Sequence, residues 1–285
     1  MRIQHFFDPR TFTFAYVVFD EATRQAVVID AVRDFDPKSD RVWEESIGTL
    51  DAYLSANQLE VLYILETHAH ADHLSGAQVL NDHHIAKIGI GARITKVQEC
   101  FKSIFDMGDD FATNGNQFDL LLEDGEILPL GSLKIEVIHT PGHTPACVSY
   151  LIDDALFTGD ALFMPDSGTG RCDFPNGSAA DLYHSVHEKL YKLPGATRVF
   201  VGHDYQPGGR EARWETSIGE SKASNIALRD ETTKEEFVKY REDRDRTLSV
   251  PVLILSSLQV NICAGRLPPA HPNGIAYLMI PLNAL

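Results

Sequence analysis

Residues 67–77 read THAHADHLSGA, which sets His68, His70, Asp72 and His73 directly behind the apolar run VLYIL. Four polar side chains packed this closely cannot enter a core without partners. Imidazole and carboxylate groups share one natural partner, a metal ion. Three more donors of the same kind follow apolar runs: His143 in HTPGHT, Asp160 in FTGDALF and His203 in VFVGHDY. One such histidine alone reads as an ordinary surface or core residue. Asp72 alone reads as the cap of a helix starting near His73. The repetition of the pattern is what points to a metal site. His83, His84, His184, His187 and His271 lie in helix-like or tail segments and are read as structural.

Such donors need a scaffold. FTFAYVVFD and QAVVIDAV, split by the polar EATR, predict a β-hairpin. WEESIGTLDAYLSANQ carries apolar residues near helical spacing. VLYIL predicts a strand leading into the donor cluster, and HLSGAQVLNDHH a helix that starts within it. KIGIGA, LKIEVIHT, CVSYLID, ALFTGD and RVFVGHD are strand-like, while TKVQECFKSIF and AADLYHSVHEKLYKL are helical. ETTKEEFVKYREDRDRTL reads as a charged surface helix. Strand runs with helices between and after them predict an α/β sandwich with sheets covered by helices, not a doubly wound fold. Alternation along an extended segment lets His68 and His70 point to one side. The longest irregular stretch, MPDSGTGRCDFPNG, is long enough to suggest a functional loop.

Composition narrows the setting. A net charge of -16 argues against a nucleic-acid partner. No stretch reaches the roughly 20 apolar residues of a membrane span, so no membrane association is expected. The start, MRIQHFFDPR, lacks a signal peptide's basic and apolar regions. Cys100, Cys147, Cys172 and Cys263 form no CxxC pair and read as free thiols of a reducing compartment, so a cytoplasmic location is expected. With no linker or repeat, a single domain over 1–285 is expected, the part from about 215 onward being a C-terminal extension. Near its end, IAYLMIPLNAL reads either as cover for a homo-oligomer interface or as a packed final strand.

THAHADH, HTPGHT, TGDALF and GHDY, in this order, resemble the motifs of the metallo-β-lactamase superfamily from about residue 10 to 215. The resemblance implies an αββα sandwich, two mixed sheets flanked by helices, with the site at one edge. Asp30 in VVIDAV matches that family's first motif, an aspartate that orients the ligand loop. In a dizinc member, His68, His70 and His143 would hold one ion, Asp72, His73 and His203 the other, and Asp160 would bridge them. That inventory permits a thioester hydrolase of the glyoxalase II kind.

The surrounding sequence is closer to the persulfide dioxygenase branch. HTPGHTPACVSY, GTGRCDFPNGSAADLYHSVHEKLYKLP and GHDY resemble that branch. Glyoxalase II proteins look more like GCGR followed by an aromatic-rich stretch, with HEYT at the last motif and a separate helical domain. The branch implies one Fe(II) per chain on His68, His143 and Asp160, with zinc as a substitute metal. His70, Asp72, His73 and His203 would then hold waters and ligands in place, or keep a second metal position. The substrates implied are glutathione persulfide and O2, with a separate sulfurtransferase as a potential partner. Arg171, Asp173 and Tyr205 are the expected substrate contacts, Arg171 and Tyr205 also serving at the reaction centre. Arg171 could brace its loop against Asp173, in place of that role or alongside it, and Tyr205 could be an ordinary core tyrosine. Arg210 and Arg213 could reach the substrate's outer end or be solvated. Cys172 could carry sulfur or be inert, and Cys147 reads as packing in a strand. The segment around DFDPKSDRV is expected to shape the pocket rim, and substrate contacts in the 164–177 loop stay open.

Overall fold

TFAYVVF is buried along its whole length, and its period of two explains why. Phe14, Tyr16 and Val18 face one apolar layer, while Ala15, Val17 and Phe19 face another. The strand therefore lies in a sheet covered on both faces, and it reads as a continuous apolar run rather than an alternating one.

The computed structural model describes residues 1–283. In chain order the first half comprises β1 (Arg2–Asp8), β2 (Thr13–Phe19), β3 (Gln25–Ile29), β4 (Val32–Asp36), β5 (Arg41–Trp43), α1 (Glu45–Ala56), β6 (Glu60–Leu65), β7 (Leu74–Ser75), α2 (Ala77–His84), β8 (Lys87–Gly91), α3 (Ile94–Ile104) and β9 (Leu120–Leu122). The second half comprises β10 (Ile127–Leu130), β11 (Leu133–His139), β12 (Val148–Ile152), β13 (Ala155–Phe157), α4 (Ala179–Tyr183), β14 (Arg198–Phe200), β15 (Glu215–Ser217), α5 (Ile218–Ser224), α6 (Lys234–Asp245) and α7 (Ile254–Asn261).

Two six-stranded sheets result, in the orders β1-β2-β3-β6-β8-β9 and β10-β11-β12-β13-β14-β15. Both are mixed: β3, β6, β8 and β9 run parallel in the first, and β13 pairs parallel with β14 in the second. Tyr16, Ile29 and Leu65 of the first sheet meet Val137, Tyr150 and Phe157 of the second in one core. On the outer face of the first sheet, Leu50 of α1, Leu80 of α2 and Phe101 of α3 cover Val17 and Val28. Leu182, Ile218 and Phe237, from α4, α5 and α6, join the core of the second sheet. The fold is the α/β sandwich with two mixed sheets flanked by helices.

Four local expectations change. The helix expected from near His73 begins only at Ala77, capped by Gly76, so Asp72 is not its cap. Leu74 and Ser75 are extended instead, because they pair with Arg33 and Val32 of β4. AADLYHSVHEKLYKL is not one regular helix: α4 passes into a π-turn over His184–Lys189 and a 3₁₀ turn over Leu190–Lys192. Helix α6 is not purely a surface helix, since Phe237, Arg241 and Asp245 are buried on one side of it. Finally, the described part of IAYLMIPLNAL forms no strand. Its backbone binds a side chain instead: Gln259 donates to the Met279 carbonyl and accepts from the Met279 N–H, both at 2.8 Å. Ala284 and Leu285 of that segment lie outside the described residues.

Candidate metal centre

Every donor singled out above lies just past the end of a strand. Asp30 follows β3, the THAHADH loop follows β6, His143 follows β11, Asp160 follows β13 and His203 follows β14. A rigid sandwich thereby presents five loops along one edge.

The loop after β6 is fastened from below and from the side. Asp30, in the left-handed region at φ 53°, accepts from the Thr67 N–H at 2.7 Å and the Thr67 hydroxyl at 2.8 Å. The Asn261 side chain donates to the carbonyls of His70 and His73 at 2.8 Å each and accepts from the Ser75 N–H. These backbone groups are buried and would be costly to leave unpaired.

The donors fall into two groups whose ligand atoms all lie within 4.8 Å of one another: His68, His143 and Asp160 in one, His70, Asp72, His73 and His203 in the other. Asp160 stands between them, with Oδ2 at 3.6 Å from His143 Nε2 and Oδ1 at 3.4 Å from His203 Nε2. His203 Nε2 is also 3.3 Å from Asp72 Oδ2. A third buried group, Asp30, Glu66 and His70, backs the second: His70 Nε2 lies 3.0 Å from Asp30 and 3.2 Å from Glu66.

Each imidazole is held by one nitrogen and offers the other. His68 Nδ1 meets the Thr67 hydroxyl at 3.0 Å, and His143 Nδ1 donates to the Arg171 carbonyl at 2.6 Å. Thr13 Oγ1 lies 3.4 Å from His73 Nδ1 and 3.3 Å from His203 Nδ1. The opposite atoms (His68 Nε2, His70 Nδ1, His73 Nε2 and His203 Nε2, with Asp72 Oδ2 and Asp160 Oδ1) are buried without a hydrogen-bond partner. An orphaned buried polar atom costs on the order of 1–3 kcal/mol. A cation within a group removes that cost for the atoms of that group, so the residues fit a metal.

Electrostatics favour the metal-binding form at His68, Asp72 and His73; at His70 burial would lower the pKa, yet Asp30 and Glu66 hold it well above the ordinary histidine range. Burial, then the neighbouring imidazoles, hold His68 well below the ordinary histidine range, and burial and His70 lower His73 despite Asp72. Burial would raise Asp72, yet His203 and His73 hold its carboxyl well below the carboxylate range. At neutral pH His68, His73 and Asp72 are neutral imidazoles beside a carboxylate, the forms that bind metals.

A cleft of about 1220 Å³ runs outward from Asp72. Tyr205 and Phe163 line it, as do Phe35, Lys38 and Arg41 of the β4–β5 hairpin, of which Lys38 and Arg41 are exposed. The DFDPKSDRV segment thus shapes the rim. Tyr205 is 52% exposed and stacks on His203 with ring centroids 5.6 Å apart, which makes it a cleft residue and not a core one. Arg171 lines the cleft too, but its guanidinium braces the loop, gripping both Asp173 oxygens at 2.6 and 2.7 Å and the Ser249 carbonyl at 2.7 Å. Arg210 is held by Asp166 and Asp204, and Arg213 is exposed. Cys172 is buried in the main core, and burial pushes its thiol well up, so it is not poised as a nucleophile. Cys147 sits just before β12 and accepts from the Thr144 N–H at 3.3 Å, and burial pushes its thiol up to about 12.

Several contributors carry no sequence signal of their own. Thr13, Glu66 and Asn261 are ordinary residues in ordinary elements, and Asn261 is separated from His70 by 191 positions. Thr67 could have been suspected from its place next to His68.

The metallo-β-lactamase superfamily matches over residues 8–203. A probable metallo-hydrolase of Burkholderia pseudomallei is 46% identical, with 100% of both chains covered. Glyoxylase B2 of Dictyostelium discoideum is 47% identical over 100% of this chain and 98% of its own. Human mitochondrial persulfide dioxygenase ETHE1 is 35% identical over 71% of this chain and 68% of its own. Among solved structures, ETHE1 from Myxococcus xanthus is similar with a TM-score of 0.75 at 31% identity, covering 93% of this chain and 100% of that one. Sandwich, donor edge and sequence agree: the chain belongs to the metallo-β-lactamase superfamily, and its likeness to the ETHE1 proteins supports the persulfide dioxygenase branch.

Proposed function

We propose that this chain is a glutathione-dependent persulfide dioxygenase with one Fe(II) held by His68, His143 and Asp160. The observation that carries this reading is the similarity to two ETHE1 proteins, at 35% and 31% identity, in a chain whose donors include a His–His–Asp set. Two imidazoles and one carboxylate on one face are the ligand set of non-haem iron oxygenases. When bound there, ferrous iron supplies the redox chemistry of O2 that zinc lacks.

The chain's own residues do the rest. Thr67 and the Arg171 carbonyl fix the orientations of His68 and His143. His70, Asp72, His73 and His203 hold waters and neighbouring ligands in place. Tyr205, with Phe163 at its edge, lines the cleft beside His203. Among the described residues, Lys38, Arg41 and Arg244 line the cleft without an ion pair and are the cations that would take the two carboxylates of a glutathione moiety. The overall change is balanced: persulfide anion, O2 and water give glutathione, sulfite and one proton. The two sulfur atoms together lose the four electrons that O2 gains.

A second reading, a dizinc thioester hydrolase, draws support from the complete second donor group and from the name of the Dictyostelium relative. Metal analysis with oxygen uptake separates the two. About one iron per chain, and oxygen consumed only when glutathione persulfide is added, is the expected result. Two zinc ions with thioester cleavage and no oxygen uptake would sink the proposal.

A further inference from the structure

The loop Thr169–Cys172 touches two of the three residues expected to hold iron. The Gly170 N–H donates to the Asp160 carbonyl at 3.0 Å, and the Arg171 carbonyl receives His143 Nδ1–H at 2.6 Å. The approach is so close that a Cβ on Gly170 would stand 2.4 Å from the Asp160 oxygen. A small shift of this loop therefore reaches both ligands.

Helix α6, about 70 residues further along, grips both ends of the loop. Arg241 Nη1 donates to the Thr169 carbonyl at 3.1 Å on one side. Asp245 Oδ2 accepts from the Cys172 N–H at 2.8 Å on the other. Arg241 and Asp245 are joined through Nε and Nη2 at 3.0 and 2.7 Å, and each side chain is 5% exposed. A buried ion pair is a poor stabiliser, and apolar residues of similar volume often serve the fold as well. Apolar residues could not, however, supply both a donor to Thr169 and an acceptor to Cys172.

We infer that Arg241 and Asp245 are positioning residues: the pair clasps the loop on both sides and so sets the metal affinity of His143 and Asp160. This rests on the metal-ligand part of the reading above but not on its substrate or reaction.

The test is Fe(II) affinity, measured by competition with a chromophoric chelator well below the Tm of each protein. Arg241→Met with Asp245→Leu should lose about 10- to 100-fold in affinity, the range for removing a group that orients a ligand, while staying folded by circular dichroism. Arg241→Lys keeps the charge opposite Asp245 but cannot reach both partners, and a several-fold loss is expected. It carries the test if the double variant fails to fold. Lys239→Met with Asp243→Leu removes the exposed i,i+4 pair on the same helix and should change nothing. Wild-type affinity in Arg241→Lys and in the folded double variant would overturn the inference. So would an equal loss from the exposed pair. A His143→Ala chain that binds Fe(II) normally would remove the ligand through which the clasp acts and overturn it as well. Because no arm measures oxygen uptake, failure of the dioxygenase reading shows separately.

Discussion

Asp30→Ala isolates what the aspartate beneath the ligand loop contributes. The carboxylate is buried and takes three contacts: the Thr67 N–H, the Thr67 hydroxyl and His70 Nε2. Two of those donors keep another partner on truncation, since the hydroxyl still meets His68 Nδ1 and His70 still meets Glu66. The Thr67 N–H keeps none, which costs about 1–3 kcal/mol. Alanine also tolerates the left-handed backbone less well than aspartate, by a fraction of the ~1–2 kcal/mol that this region costs. The sum is about 3 kcal/mol. At ~2.1 cal/mol/K of unfolding entropy per residue, 285 residues convert that into a Tm lower by about 5 °C. Asp30→Asn keeps an acceptor for Thr67 and should lose about a third as much. Calorimetry on metal-free protein reads the stability, and metal content on the loaded protein should fall with it, because Asp30 holds the Thr67 hydroxyl that orients His68. An Asp30→Ala protein within about one degree of wild type would refute the idea that Asp30 holds the loop.

Two further outcomes follow from local geometry. Gly142 has φ 146°, and a Cβ there would lie 2.3 Å from Leu182 Cβ and 2.4 Å from its Cα, so Gly142→Ala must move α4 or His143. Its loss of stability should reach the upper end of the ~1–3 kcal/mol for overpacking, with reduced metal content; a Tm equal to wild type would show that the loop yields freely. The Asp20 carboxyl is lowered from its ordinary 3.8 to about 2 by the N–H groups of Ser132 and Ala22, tying the β2–β3 turn to the β10–β11 turn. A depressed folded value means the contribution is present above the carboxylate range and lost as pH falls through 4 toward 2. Asp20→Asn should flatten that part of the Tm–pH profile, and superimposable profiles would exclude it.

The sandwich and the donor set were legible because they leave local marks. Alternating or continuous apolar runs identify strands through the pleat, and THAHADH, HTPGHT, TGDALF and GHDY each follow such a run. The sequence thus determined the fold class, the family resemblance and the seven candidate donors. Residue types and spacing left open how those donors divide, and only the resemblance implied a His68–His143–Asp160 set, because the grouping depends on where five separate strand ends meet in space. Only the folded chain puts Asp160 between His143 and His203, gives Thr13 to both His73 and His203, and turns one face of the charged helix α6 inward beneath the GTGRCDF loop. The partners of Arg171 are likewise visible only in the fold, where Asp173 and the Ser249 carbonyl occupy its guanidinium, while Lys38, Arg41 and Arg244 line the cleft without an ion pair among the described residues. Side-chain type is written in the chain. Which atom each side chain meets is a property of contacts between residues far apart in sequence, and no local pattern records it.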